Sequence, residues 1–118
     1  MPLAAISYDI RPGHDREIGE IFAAFRRVDE SEVPGAPGTR LLSTTLFQRG
    51  TVMVRVIEYE GDLEAIARHI AQQPGVREVE RRLAPYLSAP RDTGTVDGFV
   101  ETFRRSLLPV ISRLSTQD

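Results

Sequence analysis

The stretch from Thr51 to Glu60 constrains the fold more than any other part of the sequence. It is rich in β-branched residues and lies between the turn residues Arg49-Gly50 and Gly61-Asp62, which predicts a β-strand. Side chains alternate across a sheet, so this strand has two different faces. One face carries Val52, Val54 and Val56, and the other carries Met53, Arg55, Ile57 and Tyr59.

Arg55 is the exception on a face that is otherwise apolar, and we expect the valine face to pack against helices. A guanidinium in apolar surroundings needs an anionic or hydrogen-bonding partner. Two interpretations fit the sequence. Either Arg55 pairs with a nearby carboxylate or lies on a solvated face, or it points into a pocket and contacts a ligand.

The other elements follow from hydrophobic spacing and turn residues. Strands are predicted over residues 3–10 and 39–48, and the second of these forms a hairpin with 51–60. The first strand is followed by an amphipathic helix, whose apolar positions are Ile18, Ile21, Phe22, Phe25 and Val28. Asp62 caps a second helix that ends at Pro74-Gly75, and a further helical piece follows before Pro85.

The C-terminal part allows two interpretations. The spacing of Phe99 and Phe103 suits helical turns, but a helix that continued over residues 106–115 would be interrupted by Pro109. We predict a strand over 106–115, because it would cover the open sheet edge beside the first strand. The fold is then α+β, a ferredoxin-like β-α-β-β-α-β arrangement with a four-stranded antiparallel sheet, in one domain of residues 1–118.

The sheet face away from the helices is predicted to be too apolar to stay in water. We assign to it Ser7, Ser43, Thr45, Phe47, Met53, Arg55, Ile57 and Tyr59. An apolar patch of this kind marks an interface or a ligand site. Two such sheets facing each other across a two-fold axis would cover both patches and enclose a cavity, so we expect a homodimeric α/β barrel.

Composition removes several classes of function. The net charge of −2 gives no case for a nucleic acid or an anionic membrane as partner, and without cysteine there is no thiol chemistry. The sequence has two distant histidines and lacks dinucleotide and P-loop motifs, so we expect no metal, flavin or nicotinamide cofactor. Neither a membrane span nor a signal peptide is recognisable, which predicts a cytoplasmic protein.

Four segments of the chain resemble the SchA/CurD-like family of aromatic polyketide biosynthesis proteins. They are residues 2–8, 52–62, 73–76 and 80–87, and the resemblance covers nearly the whole chain. Members of that family occur in bacterial aromatic polyketide gene clusters, including those for spore pigments.

A more distant similarity reaches the tetracenomycin-type polyketide cyclases, which are dimeric α/β barrels. It is carried by Ala23-Ala24-Phe25, Ile57-Glu58, Pro74, Glu78-Val79 and Tyr86-Leu87. Asp29 matches an aspartate that follows the first helix of those cyclases. Val28 stands at the position of a histidine, and Arg55 replaces a histidine on a strand.

The resemblance implies a cyclase or aromatase-like protein that promotes regiospecific ring closure of a poly-β-ketone in type II aromatic polyketide biosynthesis. Ring closure by aldol condensation requires removal of a methylene proton and stabilisation of an enolate. Arg55 is the candidate for the enolate oxygens, and Asp29 or His69 for the proton. The competing interpretations are a loop carboxylate for Asp29 and a helix-surface residue for His69. Candidates for substrate contact are Ser7, Ser43, Thr45, Phe47, Met53, Tyr59 and Tyr86.

Two other functions fit the same resemblance. The first is a cofactor-independent monooxygenase that acts on an anthrone-like intermediate, which the lack of tryptophan disfavours. The second is a subunit without catalytic activity that shields an intermediate or passes it to other polyketide synthase or tailoring enzymes.

Overall fold

A three-stranded antiparallel sheet and four α-helices make up the fold of residues 2–24 and 32–114, the part of the chain that this computed structural model describes. The strands are β1 (Leu3–Asp9), β2 (Arg40–Arg49) and β3 (Val52–Glu60), in the spatial order β1-β3-β2. The helices are α1 (Asp15–Ala24), α2 (Leu63–Ala71), α3 (Pro74–Leu83) and α4 (Val96–Ser106), with a short 3₁₀ helix at Ala84–Tyr86.

The central strand β3 places Arg55 in the middle of the sheet. Ile6 of β1 and Leu46 of β2 lie opposite Arg55 on its two sides. Residues that face each other in an antiparallel pair point to the same side of the sheet. Arg55 therefore shares a face with the apolar residues of β1.

The predicted assignment of the two sheet faces is wrong. Met53, Arg55 and Ile57 are buried on the face that the helices cover, together with Ala4, Ile6 and Tyr8. Two of the three large apolar side chains of β1, Ile6 and Tyr8, occupy even positions, and cross-strand pairing aligns these with Arg55 and Met53 of β3. Helices that cover the large residues of one strand must therefore cover those of the other.

The valines of β3 instead share the open face of the sheet with residues of β1 and β2. Ser7 and Phe47 both pair with Val54, and Thr45 pairs with Val56. Phe47 is 59% exposed on this face, and Leu3 and Val52 are also exposed. The residues predicted to form one apolar surface are thus divided between the two sides of the sheet.

Two helices begin at side-chain caps. Asp62 Oδ1 accepts a hydrogen bond from the Glu64 N–H at 3.0 Å, which confirms the predicted start of α2. At α4, Thr95 Oγ1 accepts from the Gly98 N–H at 2.9 Å. The apolar stripe predicted for the first helix is observed as far as Phe22, whereas Phe25 and Val28 lie outside the described residues.

The strand predicted over residues 106–115 does not form in the part that the structure describes. Residue Ser106 ends α4, Leu107 makes a single bridge to Ile6, and the Leu108 N–H donates to Ala5 O at 2.8 Å. The next residue, Pro109, has no N–H to donate, so the pairing stops. The residues that follow, up to position 114, are exposed, and Ile111 is 98% exposed.

We predict that Gly61→Ala lowers the free energy of unfolding by roughly 3 kcal/mol or more, in urea titrations followed by circular dichroism. Gly61 has φ +87°, a conformation that costs a residue with Cβ about 1–2 kcal/mol. An added Cβ would also lie 2.6 Å from Thr39 Cα and clash with Thr39 Oγ1, and overpacking adds about 1–3 kcal/mol.

Gly13→Ala is the matched control for this prediction. Gly13 has φ +88°, but an added Cβ would meet nothing within 4 Å. It therefore carries the backbone strain without the clash, and we expect a loss of about 1–2 kcal/mol. Equal losses in the two variants would contradict the role given to the contact with Thr39.

Candidate functional site

Arg55 is a buried cation held between aromatic rings. It is 8% exposed, and its Cζ lies 6.0 Å from the centroid of Tyr8 and 5.5 Å from that of Phe22 on α1. Its Nε is shielded from solvent and has no hydrogen-bond partner among the described residues. The contacts with the rings stabilise the guanidinium through cation–π attraction but do not neutralise it.

A second arginine, the partly buried Arg91, contacts the same tyrosine ring. Its Cζ is 4.2 Å from the Tyr8 ring centroid, and its Nε is 3.6 Å from Oε2 of the buried Glu80 on α3. Among residues 2–24 and 32–114, no carboxylate forms an ion pair with Arg55. The described cluster of Arg55, Arg91 and Glu80 therefore carries one positive charge more than negative charge.

Sequence reasoning missed both Arg91 and Glu80. Arg91 stands in a stretch that the composition predicts as a polar loop, and nothing local distinguishes it from a solvated arginine. A weak signal exists for Glu80, which follows Val76 by four residues and therefore lies on the buried row of α3. A carboxylate on such a row needs a partner, but the partner cannot be identified without the fold.

His69 lies in a different setting, beside a cavity of about 580 Å³. The side chain is buried on α2, and the cavity is bounded by α2 and by the loop over residues 33–36. Its remaining lining residues on the α2 side are Ala65, Arg68, Gln72 and Gln73. The volume falls in the range of about 300–1,000 Å³ that is typical of small-molecule sites.

The structure does not bring all of the predicted site residues together. Arg55 is not among the described residues that line the cavity beside His69, and Asp29 lies outside the described residues. Met53 is buried and Tyr59 is partly buried with the core on the helix-covered side.

The remaining substrate-contact candidates lie away from this core. Ser7, Ser43, Thr45 and Phe47 belong to the open face of the sheet, where Ser43 Oγ donates to Glu58 Oε1 at 3.1 Å. Tyr86 packs its ring against His14, with centroids 5.1 Å apart.

Within residues 2–24 and 32–114, no group of three or more histidine, aspartate or glutamate side chains is arranged to hold a metal ion. In the same ranges, no helix is long and apolar enough to cross a membrane. The contacts of Arg55 with Tyr8 and Phe22 make it a cation next to two aromatic rings, which favours a planar ligand with negative charge on oxygen.

The fold is also that of a solved polyketide cyclase. The tetracenomycin F2 cyclase from Streptomyces glaucescens, described as a type-II polyketide cyclase, matches with a TM-score of 0.59 over 98% of this chain and 99% of that chain. The two sequences are 21% identical, so this likeness is evidence for the fold alone.

Two curated relatives from Streptomyces are more similar in sequence. The chain is 38% identical over 114 residues to the 42.8 kDa protein in the whiE locus of Streptomyces coelicolor, and 35% identical over 115 residues to the polyketide synthase CurD of Streptomyces cyaneus. These alignments cover 97% and 94% of this chain but only 28% and 29% of the relatives. The chain thus spans less than a third of the length of either protein.

The match to a protein family extends over almost the whole sequence. Residues 1–116 match the family described as the SchA/CurD like domain. The resemblance found in residues 2–8, 52–62, 73–76 and 80–87 is therefore confirmed, and the chain belongs to the SchA/CurD-like family.

Proposed function

We propose that this protein promotes regiospecific ring closure of a poly-β-ketone intermediate in type II aromatic polyketide biosynthesis, as a cyclase or aromatase-like enzyme. The observation that carries the proposal is the burial of Arg55 without a carboxylate partner among the described residues. A buried charge of this kind is costly, and an anionic ligand relieves the cost. The enolate that forms during an aldol condensation is such a ligand.

The ring closure balances with groups of the protein and the substrate alone. A base removes a proton from a methylene group between two carbonyls, and the resulting enolate carbon attacks a second carbonyl of the same chain. The new alkoxide takes up a proton, and loss of water then gives the aromatic ring. Arg55 stabilises the enolate oxygen, as a donor at a developing oxyanion does.

The cavity beside His69 supports a role for this histidine in proton transfer and a role for the protein in confining the substrate. Its volume of about 580 Å³ accommodates a folded ligand of drug size, and its described lining residues include the imidazole of His69. Because Arg55 is not among the described residues that line this cavity, we assign to His69 a proton transfer at the part of the poly-β-ketone chain that the cavity holds, with Asp29 as the other candidate. Confinement of a reactive chain in one folded register contributes to the rate by orientation.

Assembly and location complete the proposal. Leu3, Phe47 and Val52 are exposed on the open face of the sheet, where the described monomer provides no helix to cover them. We propose that a second copy of the chain covers this face in a homodimeric α/β barrel. Residues 107–108 of the same chain pair with the free edge of β1. The partners are then an aromatic polyketide intermediate and other polyketide synthase or tailoring enzymes in the cytoplasm.

We predict that Arg55→Met lowers the rate of ring closure by about 10²-fold or more while the protein still folds, because it removes one preorganised donor at the oxyanion. Arg55→Lys should restore only part of the rate, since an ammonium has no planar fork. The measurement is product formation from a freshly generated poly-β-ketone. Arg49→Met, at the exposed end of β2, is the control and should behave as the wild type.

The same assay separates the proposed function from its alternatives. A cyclase gives equal rates with and without oxygen, whereas a monooxygenase consumes oxygen as the product forms. A subunit without catalytic activity binds the intermediate but leaves its spontaneous cyclisation rate unchanged. Normal turnover by folded Arg55→Met would remove Arg55 from the mechanism.

We predict that His69→Gln lowers the rate of ring closure by about 10²-fold or more, the usual contribution of a positioned acid or base. Glutamine retains hydrogen bonding but cannot carry the proton at neutral pH. Gln72→Ala, which changes another residue lining the same cavity, is the control for altered cavity shape. Equal effects of the two substitutions would indicate a packing role for His69.

We predict that Phe47→Glu dissociates the dimer in light scattering at micromolar concentration and leaves the monomer folded. Phe47 is 59% exposed on the open face, so a charge there affects only a surface that a second copy covers. Ile57 is 1% exposed, so the same substitution at that position, Ile57→Glu, would unfold the monomer instead. Thr44→Glu, on the same strand opposite Ile57, is the control that should remain dimeric. A wild-type protein with monomer mass would disprove the barrel.

A further inference from the structure

We propose that Arg91 is a positioning residue that acts on Arg55 through the ring of Tyr8, an inference that rests on the proposed role of Arg55. A continuous series of contacts between buried and partly buried side chains joins the two arginines. Glu80 Oε2 lies 3.6 Å from Arg91 Nε, and the Cζ atoms of Arg91 and Arg55 lie 4.2 and 6.0 Å from the Tyr8 ring centroid. The two cations are therefore no more than about 10 Å apart.

Arg91 is itself fixed by two elements outside the sheet. Its Nη1 donates to Ser106 Oγ at 3.4 Å at the end of α4, and Glu80 holds it from α3. The adjoining Asp92 carbonyl accepts a hydrogen bond from Thr102 Oγ1 at 2.8 Å, which ties the loop to α4. The guanidinium over Tyr8 is thus anchored by contacts from two helices.

The charges of the two arginines are balanced differently, and this difference assigns their roles. Glu80 neutralises Arg91, so Arg91 contributes chiefly by stacking on Tyr8. No carboxylate among the described residues forms an ion pair with Arg55, so its charge is left for a ligand. A Tyr8 ring that is held on one side by Arg91 limits the positions that the Arg55 guanidinium can adopt, and such preorganisation is what an oxyanion site requires.

The test is a double-mutant cycle with a dihydroxyanthraquinone dye, whose absorbance shifts when its phenol ionises. The wild type should bind the dye in its phenolate form, and Arg55→Met should weaken this binding about 10²-fold, to a level that a titration at high dye concentration still measures. The variant Arg91→Met with Glu80→Gln removes both members of the buried pair and so leaves no uncompensated charge. We expect it to weaken phenolate binding about tenfold in the wild-type background and not at all in the Arg55→Met background.

Each outcome decides the inference. Equal losses in both backgrounds would show that Arg91 has only a structural role, and unchanged dye binding would show that it has none. Both results overturn the inference while the function of Arg55 stands. A wild type that never binds the phenolate form would refute the proposed function, and the role of Arg91 with it.

Two further variants protect the test against misfolding. If circular dichroism shows that Arg91→Met with Glu80→Gln does not fold, Arg91→Lys replaces this double variant. A lysine retains the ion pair with Glu80 but has no planar group to stack on Tyr8. Arg91→Lys should weaken phenolate binding several-fold, and wild-type binding would overturn the inference. Arg105 is an exposed arginine on α4. Arg105→Met is therefore the control variant, which should bind the dye normally.

Discussion

The burial of a guanidinium at the centre of the sheet is the constraint on which the rest of the structure depends. Arg55 lies on the central strand, with Ile6 and Leu46 opposite it, so no loop movement can bring it to the surface. Its charge must be stabilised where it is, and the described surroundings offer the rings of Tyr8 and Phe22 rather than a carboxylate. A strand at this position fixes the cation far more accurately than a loop does.

The order of the elements could be predicted from the sequence because the signals are local. The valine-rich strand, the two-residue turn at the hairpin and the Asp62 cap each depend on residues close together in the chain. The β-α-β-β-α order up to residue 71 follows from them. At the C-terminus, Pro109 predicts the end of a helix, but its missing N–H equally ends the pairing with β1 after Leu108.

The orientation of the sheet could not be predicted in the same way. Alternation shows that Val54 and Arg55 point to opposite sides, but it does not show which side the helices cover. That choice depends on register, since the pairing of Tyr8 with Met53 aligns the large apolar residues of two strands. The Glu80–Arg91 pair was beyond sequence reasoning for a similar reason: its two residues and Tyr8 come from separate elements that meet only in the fold.

The corrected orientation changes what each sheet face does. With Arg55 on the helix-covered side, the proposed function puts the enolate oxygens within one protomer, and the proposed dimer uses the open valine face. Chemistry and assembly then use different surfaces, so a substitution at Phe47 and one at Arg55 act on separate properties. Because ligand binding stabilises only the folded state, an anionic ligand at Arg55 would also offset the cost of burying this charge. Under the proposed function, the charge that destabilises the site when it is empty is the same charge that would bind an enolate.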